Sequence, residues 1–327
     1  MRYFVTGATG FIGSWVAQFL VEKGEEVTCL IRESSNLRWL KELPVELVKG
    51  SLFQPETLKE AIKQADYVLH IAGVTKALSI EDYYRGNVDT TRNLMELIRG
   101  YNPGIKKLVF LSSQAAVGPS LEGRALVESD PPHPISDYGR SKLKSEEVVL
   151  KYQNEIPVTI LRPPAVYGPR DSDILNVFKN IHWGVNLKVG IKDQVVSIIH
   201  VHDLARGIIL AAELPQSAGE TYFICNDEPV AWSEVTYYLQ DIMNKKRVIT
   251  ISIPPGVARG IATLIEFQAR LRGKPTILNR QKIAEVDAQY WVISNEKIKN
   301  QLHFVPHIPL YDGLFETWRW YRQMGWL

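Results

Sequence analysis

Short apolar runs alternate with helical patterns along the first half of the chain. The apolar positions within each run are mostly consecutive, which is typical of strands buried on both faces of a parallel sheet. The predicted strands cover residues 3–6, 27–31, 45–48, 67–71, 107–112 and 158–161. Their regular alternation with helices predicts an α/β protein with a Rossmann-type, doubly wound parallel sheet.

The segments between these runs have the spacing of amphipathic helices. Apolar residues from Ile12 to Leu20 recur three and four positions apart, so they share one helix face. Gly24 then stands where a glycine commonly ends a helix. Further helices are predicted over residues 58–65, 83–99 and 137–151.

The pattern becomes irregular and rich in proline after about residue 165. We therefore expect a smaller α/β substrate lobe that is interleaved with the first domain. The predicted dinucleotide-binding domain comprises residues 1–165 and about 196–214, and the substrate lobe comprises about 166–195 and 215–327. A length of 327 residues suits two modest domains.

Charge and cysteine content indicate which partners and which cellular compartment to expect. The 38 Lys and Arg residues nearly balance 36 Asp and Glu residues, so composition does not predict nucleic-acid binding. Two cysteines, Cys29 and Cys225, cannot build a disulfide framework. The first residues do not match a signal peptide, and the chain contains no run of about 18 apolar residues. We therefore expect a cytoplasmic protein that acts on a small molecule.

Residues 254–274 are apolar and include several basic side chains. Such a segment could form an amphipathic lid or rest on a membrane surface. The preferred interpretation is a helix of the substrate lobe with a solvated basic end, so membrane contact is not expected.

A glycine-rich loop is the strongest local signal in the sequence. It reads Thr-Gly-Ala-Thr-Gly-Phe-Ile-Gly over residues 6–13, between the first strand and the first helix. Its glycines permit a tight turn, a close approach to a pyrophosphate and close packing of helix on strand. The helix N-terminus adds free N–H groups for phosphate oxygens. The predicted cofactor contacts in this loop are Gly7, Thr9, Gly10, Phe11, Ile12 and Gly13.

The end of the second strand indicates which dinucleotide binds. NAD-binding proteins commonly place an acidic residue there, but this chain has Ile31 followed by Arg32. Arg32, with Arg38 nearby in sequence, could bind a 2′-phosphate, although Glu33 could still bind a ribose hydroxyl. The sequence therefore favours NADP over NAD.

Tyr138 and Lys142 are four residues apart in a predicted helix, and this spacing places both side chains on one helix face. The ammonium group of Lys142 could then lower the pKa of the Tyr138 phenol, which would allow proton exchange with a substrate oxygen. Ser112 and Ser113 end a predicted strand, where a parallel sheet faces its ligand. We interpret this group as a catalytic site.

These motifs together resemble those of the extended short-chain dehydrogenases/reductases. That superfamily includes sugar-nucleotide epimerases and dehydratases, dihydroflavonol-reductase-like enzymes and 3β-hydroxysteroid dehydrogenases. The resemblance covers essentially the whole chain. It includes further motifs at residues 66–72, 87–88, 161–169, 200–205 and 318–321.

The resemblance implies a role for each matching residue. Tyr138 is the expected general acid/base, Lys142 binds the nicotinamide ribose, and Ser113 orients the substrate oxygen. Relatives of this type commonly form homodimers through the helices at 83–99 and 137–151. Further cofactor contacts are implied for Ser51, Leu52, Ala72, Gly73, Asn87, Ser112, Tyr138, Lys142 and Pro163.

Three departures from the family pattern bear on function. Ser51 replaces a common adenine-binding Asp, and Val117 replaces the Tyr of a Tyr-Gly pair. Ala165 stands where many sugar-nucleotide enzymes have an asparagine for the substrate diphosphate, and alanine cannot donate that hydrogen bond. A fourth difference separates the chain from the dehydratases of this family, which usually carry an acid/base pair where this chain has Gln114 and Ala115.

The leading hypothesis is therefore an oxidoreductase that transfers a hydride between a nicotinamide and a secondary alcohol or ketone. A sugar-nucleotide epimerase or dehydratase is the alternative, and a non-catalytic NADP-binding scaffold is a third possibility. No metal site is expected, because His200 and His202 have no carboxylate or cysteine at metal-ligand spacing. The pair is interpreted as a junction that packs the two lobes.

Overall fold

A seven-stranded parallel sheet forms the centre of the structure, a computed structural model that describes residues 1–276 and 279–327. The strand order in this sheet is β11-β6-β5-β4-β1-β2-β3. The strands are β1 Arg2–Thr6, β2 Glu26–Ile31, β3 Glu46–Lys49, β4 Tyr67–His70, β5 Lys107–Leu111, β6 Val158–Arg162, β7 Ala165–Tyr167, β8 Val185–Val189, β9 Val195–Val196, β10 Ile198–His200, β11 Thr221–Phe223, β12 Val230–Ala231, β13 Ile249–Ile253 and β14 Tyr290–Trp291.

The predicted doubly wound sheet is confirmed. Strands β1 to β6 follow the order of a Rossmann fold, which reverses between β1 and β4 and opens a crevice at their carboxyl ends. All six predicted strands are present, with ends that differ by one residue or less. Strand β3 is mostly exposed rather than buried on both faces, because it forms an edge of the sheet.

Twelve α-helices lie in the described residues and cover both faces of the sheet. Their bounds are α1 Phe11–Glu22, α2 Lys59–Gln64, α3 Ile80–Tyr83, α4 Thr90–Tyr101, α5 Asp137–Leu150, α6 Leu175–His182, α7 Val201–Glu213, α8 Trp232–Ile242, α9 Pro255–Arg272, α10 Arg280–Asp287, α11 Glu296–Leu302 and α12 Leu310–Gln323. Short 3₁₀ turns occur at Pro55–Leu58, Gln114–Ala116 and Pro215–Ser217.

Two helices differ from their predicted form in an informative way. Helices α3 and α4 are joined by a π-helical segment, Tyr84–Asp89, where the sequence predicts one regular helix. The predicted helix at 58–65 is a 3₁₀ turn that continues into α2. Gly24 follows α1 with a φ of 83°, a left-handed conformation that glycine adopts without strain.

The two faces of the sheet carry separate apolar clusters. On one face, Val16 of α1 and Leu204 of α7 pack with Ile298 of α11. On the other face, Ile62 of α2, Leu94 of α4 and Val149 of α5 form the second cluster. This packing fixes α1 and α5 over opposite faces of the sheet, so their N-termini approach the crevice from both sides.

The predicted boundary between the lobes needs correction. Residues 221–223 were expected in the substrate lobe, but they form β11, which pairs with β6 at the edge of the central sheet. Helix α11 likewise packs on the central sheet through Ile298 and Leu302. The chain therefore returns to the first lobe twice after residue 215. Residues 277 and 278 of the predicted second lobe lie outside the described residues.

Three small sheets lie outside the central sheet, and the second lobe has a core of its own. The sheets pair β7 with β10, β8 with β13, and β9 with β12 and β14. The C-terminal helix α12 packs into this core through the buried side chain of Tyr321, which stacks on Trp326. Trp318, Trp320 and Tyr321 thus belong to a helix that is packed into this core.

Candidate active site

The glycine loop forms a backbone cradle at the point where the strand order reverses. Gly7 has a φ of 77°, and a Cβ there would lie 2.7 Å from the amide nitrogen of Ala72. A Cβ on Gly13 would lie 2.2 Å from the carbonyl oxygen of Gly7. Side chains at these positions would collide with the protein's own backbone, so the two glycines permit the tight turn and the close packing of α1 on the loop. The predicted contacts of Gly7, Gly13 and Ala72 therefore meet at one place.

The N-terminus of α1 opens onto the same cradle. Gly10 precedes the helix and has no side chain to cap it, and the first turn contains no acidic residue. Phe11 and Ile12 begin the helix, so their N–H groups belong to the uncapped turn. Thr9 lies half-buried in the loop before them. The free N–H groups and the positive end of the α1 dipole fit the diphosphate of a dinucleotide.

Arg32 follows β2 on the same side of the sheet and is exposed. Its backbone N–H donates to the Ser35 hydroxyl over 2.9 Å, which shapes the turn after the strand. The competing carboxylate of Glu33 pairs with Lys49 at 3.4 Å. Arg38, which the sequence suggested as a second phosphate ligand, instead stacks on Trp39 with 4.3 Å between guanidinium and ring.

Ser113 and Tyr138 are brought together by close packing of α5 on the turn after β5. Ser113 begins the Gln114–Ala116 turn, and its hydroxyl accepts a hydrogen bond from the Ala115 N–H over 3.1 Å. A Cβ on Gly139 would lie 2.2 Å from the Ala115 carbonyl oxygen. The glycine after Tyr138 therefore allows the helix to approach the turn, a role that sequence analysis did not assign.

The pKa of Tyr138 lies above its ordinary value, which corrects the sequence expectation. Burial raises this pKa to about 12, and a hydrogen bond with Ser113 acts in the opposite direction. Lys142 was expected to lower the pKa, but its ammonium donates to the Leu111 carbonyl oxygen over 2.7 Å. It also lies 4.3 Å from the centre of the Phe110 ring. Burial lowers the pKa of Lys142 to about 8.

Lys142 nevertheless faces the crevice. A Cβ on Gly73 would lie 3.8 Å from its ammonium nitrogen and 3.3 Å from the amide oxygen of Asn87. Gly73 and Lys142 are therefore close enough to contact the same bound molecule.

The side-chain amide of Asn87, a predicted cofactor contact, forms hydrogen bonds within the protein. Its amide oxygen accepts the Val74 N–H, and its amide nitrogen donates to the Val74 carbonyl and the Ser141 hydroxyl. The side chain thus ties the loop after Gly73 to α5. Both ends of the amide thus help to hold this loop, and the cofactor contact of Asn87 stays a prediction.

Three further predicted cofactor contacts lie at the ends of two strands. After β3, the Ser51 hydroxyl accepts the Phe53 N–H, and the Leu52 side chain is buried. After β6, the Pro163 carbonyl accepts the N–H of Gln114, which places that proline beside the serine turn. The Ser51 hydroxyl is therefore engaged within its own turn.

A buried ion pair lies behind Lys142 and was not identified from the sequence. Glu146 is one turn further along α5 and forms two hydrogen bonds with Arg162, of 2.6 and 3.0 Å. The hydroxyl of Ser112 donates to the same carboxylate. Ser112 is therefore a support for Glu146, which raises the pKa of Lys142 and so opposes the effect of burial. The repeated spacing of four from Tyr138 could have revealed this residue.

The structure brings a carboxylate to the histidine pair, contrary to the sequence expectation. Glu316 of α12 lies 3.6 Å from His200 and 3.7 Å from His202. These three residues have the composition of a metal site. However, burial and, after it, the nearby positive charge of Arg206 lower the pKa of both histidines, and this positive surrounding disfavours a cation.

The lobe junction predicted at this point is supported by Asp203. Its buried carboxylate accepts the N–H groups of His307 and Ile308 over 2.9 and 3.0 Å. Because Asp203 lies in α7 and its two partners lie just before α12, this residue holds the lobes together.

The fold and this crevice define an NAD(P)-dependent enzyme of the extended short-chain dehydrogenase/reductase type. A model of the NAD dependent epimerase/dehydratase family matches residues 3–225, and the chain belongs to this family. The resemblance stated from sequence motifs is therefore confirmed.

Named relatives extend over the whole chain. The chain is 28% identical to a ceramide reductase of Caulobacter vibrioides, over 99% of this chain and 95% of that protein. It is 25% identical to a decarboxylating sterol-4-alpha-carboxylate 3-dehydrogenase of Dictyostelium discoideum, over 96% and 98%. A solved UDP-glucose 4-epimerase of Thermotoga maritima has a TM-score of 0.82 at 23% identity, over 99% of each chain, and supports the fold alone.

Proposed function

We propose that this protein is an NADP-dependent oxidoreductase that interconverts a ketone and a secondary alcohol through Ser113, Tyr138 and Lys142. The observation that carries the proposal is the close packing of Gly139 on the turn after Ser113, which brings the phenol and the serine together beside the crevice. When bound, the nicotinamide supplies or accepts the hydride.

Each of the three side chains has a separate task in this proposal. Tyr138 donates its phenolic proton to the oxygen of a ketone, or removes the hydroxyl proton of an alcohol. Ser113 holds that oxygen by a hydrogen bond. Lys142 binds the ribose beside the ring, and its buried ammonium offers positive charge where a phenolate forms.

The preference for NADP is supported by the charges after β2. Arg32 is exposed where a ribose 2′-phosphate would lie, and the buried Ile31 occupies the position of the usual acid. Glu33 is engaged by Lys49. Positive charge therefore predominates at this end of the strand.

The substrate proposed for this site is an apolar ketone rather than a nucleotide sugar. Ala165 is exposed but has no hydrogen-bond donor for a diphosphate. Ceramide and the sterol carboxylate, in the names of the two relatives, are both lipids. Epimerisation is the second candidate because the family whose model matches the chain is that of NAD dependent epimerases and dehydratases.

Consumption of NADPH separates these functions. We expect the chain to oxidise added NADPH in the presence of an apolar ketone, whereas an epimerase would show no net consumption. Tyr138→Phe should reduce kcat at least about 100-fold, since it removes the proton donor. Tyr237→Phe, at a side chain that is 66% exposed, is the matched control and should leave kcat unchanged.

A thermal shift with NADPH completes this experiment. Tyr138→Phe should still be stabilised by the cofactor, which shows that the variant is folded and able to bind. Full activity of Tyr138→Phe would contradict the catalytic proposal and favour a binding role.

A further inference from the structure

Helix α9 has its large apolar residues on the outside. The residues that it buries against the protein are alanines, Ala258, Ala262 and Ala269. At 100° per residue, the large apolar side chains fall on a different face, which is exposed. The exposed fractions are 54% for Val257, 44% for Ile261, 66% for Leu264, 61% for Phe267 and 73% for Leu271.

The strand pair on which α9 packs, β8 and β13, also exposes apolar side chains. The parallel register pairs Ile251 with Leu187 and Ile253 with Val189, so these four side chains lie on one face. Val189 and Ile253 pack against the buried alanines of α9. Leu187, Ile251 and, at the start of β13, Ile249 are exposed. We call these three residues and the five exposed residues of α9 the apolar patch.

Positive charge is concentrated in the segments that form the apolar patch. Residues 183–192 and 245–274 contain nine Lys and Arg residues and one acidic residue, Glu266. The rest of the chain contains 29 basic and 35 acidic residues. The near-neutral total therefore hides a local excess of basic residues. Three of the nine form ion pairs with carboxylates: Lys188 with Asp193, Arg259 with Asp287 and Arg270 with Glu266.

We propose that the apolar patch docks on the surface of an anionic lipid bilayer. Apolar side chains enter the boundary between headgroups and acyl chains, and flanking bases such as Arg272 and Lys274 bind anionic headgroups. None of the helices in the described residues is long and apolar enough to cross a membrane. The contact is therefore peripheral. It differs from the sequence expectation, because the sequence does not show that the alanine face of α9 is the packed one.

The opposite side of α9 lines a cleft that leads toward the active site. Glu266 and Ala269 contribute to the wall of this cleft, which has a volume of about 780 Å³. Asp137 and Tyr83 line it further in, and the Tyr83 ring lies 6.2 Å from that of Tyr138. Helix α9 thus separates the apolar patch from the cleft. This step rests on the proposed function. Together with that function, the arrangement indicates that the substrate is a membrane lipid that contains a ketone group.

Vesicle co-sedimentation of the full chain tests the docking without any turnover. We expect binding to phosphatidylcholine vesicles that contain phosphatidylglycerol, weak binding to phosphatidylcholine alone, and a decrease with added salt. The double variant Leu264→Gln/Phe267→Gln should bind at least about tenfold more weakly, because two apolar side chains no longer enter the bilayer. Leu121→Gln, at a residue 82% exposed in a loop outside the patch, is the control.

Three outcomes would overturn the docking proposal. The first is equal vesicle binding by the wild type and the double variant. The second is binding of nucleic acid that displaces the protein from the vesicles. The third is a dimer without lipid that the double variant abolishes, since the patch would then contact a second copy. The homodimer predicted by resemblance involves α4 and α5 instead.

A further comparison separates this proposal from the proposed function. With a long-chain ketone in anionic vesicles, the double variant should have a raised KM and an unchanged kcat. With a short water-miscible ketone, both constants should match the wild type. Vesicle binding without turnover would refute only the proposed function, whereas turnover without vesicle binding would refute only the docking.

Discussion

A backbone carbonyl and a guanidinium group from distant parts of the chain hold two side chains of α5 beside the crevice. Lys142 donates to the carbonyl of Leu111, and Glu146 is held by Arg162. Each partner lies at a strand end, so the central sheet positions both side chains of α5. Burial of Lys142 costs free energy because its charged form is desolvated, and the nearby carboxylate of Glu146 offsets part of that cost.

Replacement of Arg32 by Asp tests the cofactor preference at the level of one residue. We expect kcat/KM with NADPH to fall roughly 100-fold, because a charge-assisted hydrogen bond to phosphate is replaced by repulsion. The value with NADH should be unchanged or higher, since Asp can bind the ribose hydroxyls. Arg38→Asp is the control, because Arg38 stacks on Trp39. An equal loss with both cofactors would contradict the role of Arg32.

At the level of elements, the approach of α5 to the serine turn decides whether the site is assembled. Gly139→Ala places a Cβ 2.2 Å from the Ala115 carbonyl, so one backbone must move. We expect the free energy of unfolding to fall by about 1–3 kcal/mol and kcat to fall at least tenfold, by analogy with other displacements of catalytic groups. Chemical denaturation and NADPH oxidation measure the two effects.

Gly100 of α4 provides the matched substitution. A Cβ there would meet no atom within 4 Å, so Gly100→Ala should raise the free energy of unfolding by about 0.5–1 kcal/mol. If both substitutions stabilise the protein, the close packing of α5 is not required.

Elements defined by local patterns could be predicted from the sequence, and long-range contacts could not. Consecutive apolar residues identified the central strands, and the glycine spacing identified the cradle at Gly7 and Gly13. The contact of Glu316 with His200 depends on how the two lobes fold together, and it has no local signal. The exposed face of α9 was missed for a similar reason, because helical periodicity does not show which face is packed.

The contact between the two lobes is formed at α7. Asp203 receives two backbone N–H groups from the segment before α12. Beside it, His202 stacks edge-on against Trp15 with 4.1 Å between ring centres. The guanidinium group of Arg170 also lies over the Trp15 ring, 3.8 Å from its centre. Cations and buried imidazoles thus share the interface between the lobes.

Because His202 is buried at this junction, we expect the protein to lose stability in acid. Burial and the neighbouring cations, Arg206 and Arg170, lower the pKa of His202 from 6.5 to about 4. Between these values the unfolded chain binds a proton that the folded protein does not, so the free energy of unfolding decreases as pH falls from 6.5 toward 4. Above pH 6.5 this contribution does not change with pH.

Denaturation curves at pH 7 and pH 5 measure this effect for His202→Gln. At pH 5 the wild type should lose about 2 kcal/mol through this histidine, and the variant should lose that much less between the two pH values. His133→Gln, at an exposed position, is the control and should keep the wild-type dependence. The proximity of Glu316 to His202 works against the effect, because a protonated imidazole would gain an ion pair at 3.7 Å. An unchanged pH dependence in His202→Gln would mean that this pairing cancels the cost of burying the charge.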